Sequence, residues 1–114
     1  MKIFSLENLP EVKILRPHKL GDHRGFFSET YNYKQFKNLG EELKFVQDNQ
    51  SLSRDRYTLR GLHFQSPPFA QDKLIRVLRG SVLDVAVDIR KNSKTFGKHA
   101  VVQLSASEFN QIFV

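Results

Sequence analysis

The sequence contains no cysteine. That excludes disulfide staples and thiolate metal sites, and it is compatible with a reducing cytoplasm. No apolar run reaches the roughly 18 residues that a membrane-spanning helix needs, so no membrane association is expected. The opening residues, MKIFSLENLPEV, lack the long apolar core and small-residue cleavage site of a secretion signal. A cytoplasmic location is therefore expected. There is no run of five like charges, no internal repeat, no low-complexity segment and no linker. Lys and Arg number 18 against 12 Asp and Glu, a formal charge of +6. These cations are spread along the chain instead of gathered in a patch or arm. That favours a solvated surface with a few site cations, able to hold a small phosphorylated ligand, over a nucleic-acid groove. The length of 114 residues suits a single domain, 1–114.

What is present is a succession of short β-prone segments. Val12–Leu15 is a short apolar piece, Gly21-Asp22 is turn chemistry, and Arg24–Asn32 is aromatic and β-prone. Lys34–Leu39 predicts a helical turn or two stopped by Gly40. Phe45–Ser53 reads as a polar strand, and Arg54–Tyr57 as a loop. The stretch from Thr58 to Arg90 organises the rest. A strand bearing Arg60 and His63 is followed by a loop and by a strand starting at Lys73. The break at Arg79-Gly80 then predicts a hairpin turn into the long run Val82–Ile89. In that run Leu83, Val85, Val87 and Ile89 share one face, and Asp84 and Asp88 lie on the other. Lys91–Thr95 predicts a polar turn, and Ala100–Leu104 a strand. Ile112–Val114 reads as a strand that begins and is cut off. Short strands with almost no helix predict an all-β sandwich or barrel.

The chemistry-bearing residues lie in and before that organising stretch. Imidazole titrates near neutral pH, so His63 is the expected general base. A lone histidine is more often packed and satisfied by a carbonyl. Arg60 three residues before it and Gln65 two after it favour function here. His18, His23 and His99 lack such company and are expected at the surface. Arg60 offers a planar fork for phosphate, and Lys73 a point charge for a developing enolate oxygen. Gln47 and Asn49, two apart, share one face, which suits a nucleobase edge or sugar hydroxyls; capping of a neighbouring turn is about as good a reading. Asp84 and Asp88 either orient His63 or form ion pairs, ion pairs being the safer expectation.

RGLHFQ followed by KLIRVLRGSVLDVAVDIR is very similar to the dTDP-4-dehydrorhamnose 3,5-epimerase family. The blocks DHRGFFSETYN, FVQDNQS and TFGKHAVVQLS match it in the same order, so the resemblance covers nearly the whole chain. It implies a cupin-type jelly roll, or double-stranded β-helix, that works as a homodimer. Against the metal-binding cupin pattern, His63 and Gln65 fall at the two histidine positions. Lys73 stands where the glutamate would, which implies a metal-free site. The implied substrate is dTDP-4-dehydro-6-deoxy-D-glucose, whose C3 and C5 protons are alpha to the C4 ketone. His63 would abstract the proton, Lys73 would hold the enolate oxygen, and Arg60 the diphosphate. Gln47, Asp48 and Asn49 would lie along the nucleotide and sugar. Arg24, Phe26 and Glu29 would reach the nucleotide across the dimer. No cofactor is implied, because the ketone is the electron sink. Family members continue past the segment matched by Val114. Their opposing tyrosine acid, a second substrate-binding histidine, a stacking aromatic and the carboxylate that orients the base have no match here. The chain therefore resembles the family truncated on its C-terminal side. The other expectations are a relative that inverts only C3 or C5, and a non-catalytic nucleotide-sugar-binding fragment.

Overall fold

The computed structural model describes residues 1–38, 40 and 42–114. They form two compact units, one of Met1–Glu29 with Asp72–Val114 and one of Thr30–Gln71.

The first unit is all strand. β1 (Lys2–Ser5), β2 (Lys13–Arg16), β5 (Leu74–Arg76) and β8 (Gln111–Phe113) make an antiparallel sheet in the order β1-β2-β8-β5. β3 (Leu20–Asp22) pairs with β4 (Gly25–Phe27), and β6 (Ser81–Val87) with β7 (His99–Ser105). The four-stranded sheet is organised around Ile112. It stands opposite Ile14 on one side and Ile75 on the other, so three β-branched side chains form a row across the sheet. Ile112 is fully buried, and Leu9, Val12, Ala100 and Leu104 complete the core. Each of the leucine, valine and isoleucine side chains contributes about 1.5–3 kcal/mol by leaving water.

The β6–β7 register explains which face meets that core. Ala86 stands opposite Ala100 and Val82 opposite Leu104, and Ala100 and Leu104 are buried. The purely apolar face, Leu83, Val85 and Val87 with Val101, is exposed. The turn after β6 is pinned from inside. The buried Asp88 carboxylate accepts from the Arg90 guanidinium at 3.0 and 2.9 Å and from the hydroxyls of Ser93 and Thr95. The Lys91–Thr95 turn and the Ala100–Leu104 strand are where the sequence predicts them.

Four expectations about the segments up to Phe27 and from Leu74 on are corrected. The break at Arg79-Gly80 does not close a hairpin: β5 pairs with β8, while β6 pairs with β7. Gly80, at φ +80°, instead directs the chain from one sheet to the other. The turn near Gly21-Asp22 falls at His23–Arg24, and Gly21 and Asp22 belong to β3. Only Gly25–Phe27 of the aromatic stretch is strand. Val114 does not leave an open strand end: its N–H donates to Lys73 O and its carbonyl accepts from Lys73 N, at 2.9 and 2.7 Å.

The second unit holds α1 (Tyr33–Asn38), within a residue of its predicted start. Leu39, the predicted last helical residue, lies outside the described residues. Asn32 caps the helix, its side-chain oxygen accepting from Gln35 N at 3.2 Å. Phe36 is fully buried against Tyr31, whose ring also meets Phe45 at 5.2 Å. Neither Phe45–Ser53 nor the Arg60–His63 segment is a strand. No other strand offers either a ladder among the described residues, and β-propensity without a partner does not make a strand.

Candidate functional site

The site residues expected from the sequence divide between the two units, and each group is built differently. In the first unit, Arg24 sits in the two-residue turn between β3 and β4. The turn folds its guanidinium back on Asp22: Nη2 donates to Oδ2 at 2.7 Å, Nε donates to the same carboxylate, and the Arg24 N–H donates to Oδ1 at 2.9 Å. Arg24 thereby holds the Asp22 carboxyl below its usual range. Phe26, on β4, meets Phe109 edge-on at 5.3 Å. The Lys19 ammonium lies 4.5 Å from the Phe26 centroid and 4.2 Å from that of Phe109. These three residues line one side of an open cavity of about 330 Å³ with Arg76 and Leu78. Glu29 is exposed beyond β4. Lys73 is half-buried, and its backbone is clamped in the sheet by both bonds to Val114. Among the described residues no carboxylate is within ion-pair distance of its ammonium.

The two aspartates of β6 and its end differ. Asp84 is half-buried, and desolvation pushes its carboxyl up. Asp88 makes the expected ion pair with Arg90, and both its oxygens are consumed there and by Ser93 and Thr95.

In the second unit, Gln47, Asp48, Asn49, Arg60 and His63 all lie exposed on irregular chain. Gln47 and Asn49 do meet, the Gln47 amide donating to Asn49 Oδ1 at 3.1 Å across Asp48. The Arg60 guanidinium turns back on Ser53: Nε and Nη2 each donate to Oγ at 3.3 Å, and Nη2 also donates to Leu52 O at 3.5 Å. His63 owes its place to Gly61. At φ +107°, Gly61 adopts a backbone that side chains rarely tolerate, and a Cβ there would stand 3.2 Å from His63 Nδ1. His18, His23 and His99 are exposed.

Sequence reasoning missed the residues that hold others in place: Asp22 for Arg24, Lys19 and Phe109 for Phe26, Ser53 for Arg60 and Gly61 for His63. Only Asp22 carries a local signal, an aspartate at a turn whose side chain accepts two residues on. Among the described residues no cluster of three or more His, Cys, Asp or Glu could hold a metal ion. No helix among them is long and apolar enough to cross a membrane. Chemically, the second unit presents an imidazole, a guanidinium and paired amides, and the first an ammonium on the residue before β5.

Antiparallel strands with one short helix among the described residues are the make-up of a cupin-type protein. Comparison with known proteins is specific. Residues 7–114 match the family model of dTDP-4-dehydrorhamnose 3,5-epimerase. The chain is 48% identical over 111 residues to the dTDP-4-dehydrorhamnose 3,5-epimerase of Sinorhizobium fredii, covering 97% of this chain and 57% of that protein. It matches the crystal structure of the Bacillus anthracis enzyme with TDP and PPi bound at a TM-score of 0.94 and 46% identity, over 99% of this chain and 64% of that one. It matches the Legionella pneumophila epimerase in complex with dTDP-4-keto-L-rhamnose at 0.91 and 45%, over 99% and 59%. The chain belongs to the dTDP-4-dehydrorhamnose 3,5-epimerase family. It spans less than two thirds of the length of these relatives.

Proposed function

We propose that the chain carries out, or forms the N-terminal portion of a protein that carries out, the epimerisation of dTDP-4-dehydro-6-deoxy-D-glucose at C3 and C5 to dTDP-4-dehydro-L-rhamnose. The observation that carries this is the 0.94 TM-score at 46% identity to a family structure that holds TDP and PPi. His63 takes the proton alpha to the C4 ketone. The electron pair of the broken C–H bond moves into the carbonyl, and the ammonium of Lys73 stabilises the resulting enolate oxygen. Return of a proton to the opposite face inverts the carbon; this chain has no match for the family's tyrosine acid, so water supplies that proton and His63 releases its own to solvent. Arg60 holds the diphosphate, and Gln47, Asp48 and Asn49 the nucleotide and sugar. Arg24, Phe26 and Glu29 reach the nucleotide of a second copy in a cytoplasmic homodimer. The ketone serves as the electron sink, so no cofactor takes part.

The second reading, a nucleotide-sugar-binding fragment without turnover, draws its support from the relatives' greater length, 57% of the Sinorhizobium protein being covered. Incorporation of solvent deuterium into the keto sugar decides between them. Label at C3 or C5 that His63→Ala abolishes, with dTDP binding little changed, supports the epimerase. Loss of binding equal to loss of label would make His63 structural. Binding without any label would leave the fragment.

A further inference from the structure

Ser53 carries hydrogen-bonding capacity that the proposed roles leave unused. Its Oγ accepts two hydrogen bonds from one guanidinium, from Arg60 Nε and Nη2, each at 3.3 Å. The neighbouring Leu52 carbonyl accepts a third bond from Nη2 at 3.5 Å. A serine hydroxyl offers two lone pairs and one proton. With Arg60 on its acceptor side, Oγ has only its proton left to give, and among the described residues it gives it to no acceptor. The guanidinium is in the matching state. Its Nε and Nη2 are tied down by Ser53 and Leu52, and Nη1 makes no bond to the described residues. Both groups therefore keep donors for an anion outside the chain, on adjacent side chains that fix one another.

We infer that Ser53 is a second phosphate-binding residue. It fixes the plane of the Arg60 guanidinium through its lone pairs and donates its own O–H to the anion that Arg60 binds. This rests on the proposed role of Arg60 toward the diphosphate. The pair extends a lone cation into a two-donor site, in which the hydroxyl supplies direction and the guanidinium charge. Seven residues separate the two, and no helix or strand joins them, so the arrangement has no counterpart in secondary-structure spacing.

The test is calorimetric titration of the chain and its variants with dTDP and with free thymidine, each variant checked by circular dichroism. Ser53→Ala should weaken dTDP binding about tenfold and thymidine binding by less than about twofold. Ser53→Thr, which keeps the hydroxyl, should return dTDP affinity to within about threefold of the original. In an Arg60→Ala background, Ser53→Ala should add little, because the two act as one unit. If Arg60→Ala weakens dTDP selectively while Ser53→Ala leaves it unchanged, the role of Ser53 is overturned and that of Arg60 stands. If Arg60→Ala weakens dTDP and thymidine alike, the phosphate role of Arg60 falls, and Ser53 falls with it. Equal weakening of both ligands by Ser53→Ala would mean a collapsed loop and would also overturn the inference.

Discussion

Replacing Phe36 by alanine should unfold the second unit at mild denaturant. Its side chain has no exposed surface, and Phe36 and Leu43 are the buried apolar residues of Thr30–Gln71 among those described. The ring packs on Tyr31 at 5.3 Å, and Tyr31 ties the helix to the following chain by donating its hydroxyl to Leu43 O at 2.7 Å. Truncating a buried phenylalanine costs about 3–5 kcal/mol in lost transfer and residual cavity. At a urea slope of about 2 kcal/mol/M, a loss of about 4 kcal/mol lowers the midpoint by about 2 M. Phe36→Leu keeps most of the apolar volume and should cost less than about 1.5 kcal/mol. Urea unfolding followed by circular dichroism gives both numbers, and hydrogen exchange localises them. The Phe36 amide, bonded to Asn32 O at 3.0 Å, should lose its protection in the alanine variant. An alanine variant that loses less than about 1 kcal/mol, or keeps that protection, would refute the view that this aromatic cluster holds the second unit together.

Three further outcomes are expected. The Arg90 guanidinium, then the Ser93 and Thr95 hydroxyls, hold the Asp88 carboxyl well below its ordinary 3.8. Its stabilising effect is thus fully present above that value and is lost progressively as pH falls from there toward the depressed folded value, because the unfolded chain takes up the proton first. Asp88→Asn should be less stable near neutrality and lose less between about pH 5 and pH 2 in acid titration than the parent, and parallel curves would contradict this. Gly61→Ala adopts a φ of +107° with about 1–3 kcal/mol of backbone strain and presses a methyl on the His63 ring. It should cut deuterium exchange more than about tenfold with dTDP affinity within about threefold, and unchanged exchange would show that Gly61 does not position the base. Phe27→Asp, which charges an exposed ring on β4, should shift sedimentation toward the monomer while the fold persists. A parent chain that is already monomeric at micromolar concentration would end the dimer proposal.

Strands with a period-two pattern and a local partner were legible in the sequence. β6 and β7 pair across a turn that Lys91–Thr95 announces, and the alternation of Leu83, Val85 and Val87 with Asp84 and Ala86 marks the two faces. Pairing between distant segments was not legible. Nothing local in Leu74–Arg76 says that its partner is Gln111–Phe113, and so the glycine at position 80 reads as a hairpin when it marks a change of sheet. The polar run after Phe45 carries strand-like alternation but finds no ladder. For the proposed site, the residue types and their order along the chain are read from the family blocks. The second partners are not: the bond from Arg60 to Ser53 spans seven residues of irregular chain, and the space that Gly61 leaves for His63 is visible only in three dimensions.

The proposed site residues are secured by two unequal means. Lys73 is fixed through its backbone to Val114 in a four-stranded sheet. Arg60 and His63 hang on a segment whose ties are local: Gln47 to Asn49, Thr58 to Asp55 and Arg60 to Ser53. That segment also leaves Tyr57 93%, Leu59 89% and Leu62 76% exposed. Single exposed apolar residues are ordinary, but a run of them is more apolar surface than a short segment usually presents. Reacting groups must be held to within about 0.5 Å of their productive positions, and a segment tied only by exposed hydrogen bonds pays about 0.5–1.5 kcal/mol for each long side chain it orders on binding. Under the proposed role of Arg60 toward the diphosphate, the ordering of Arg60 and its neighbours is a cost of binding dTDP.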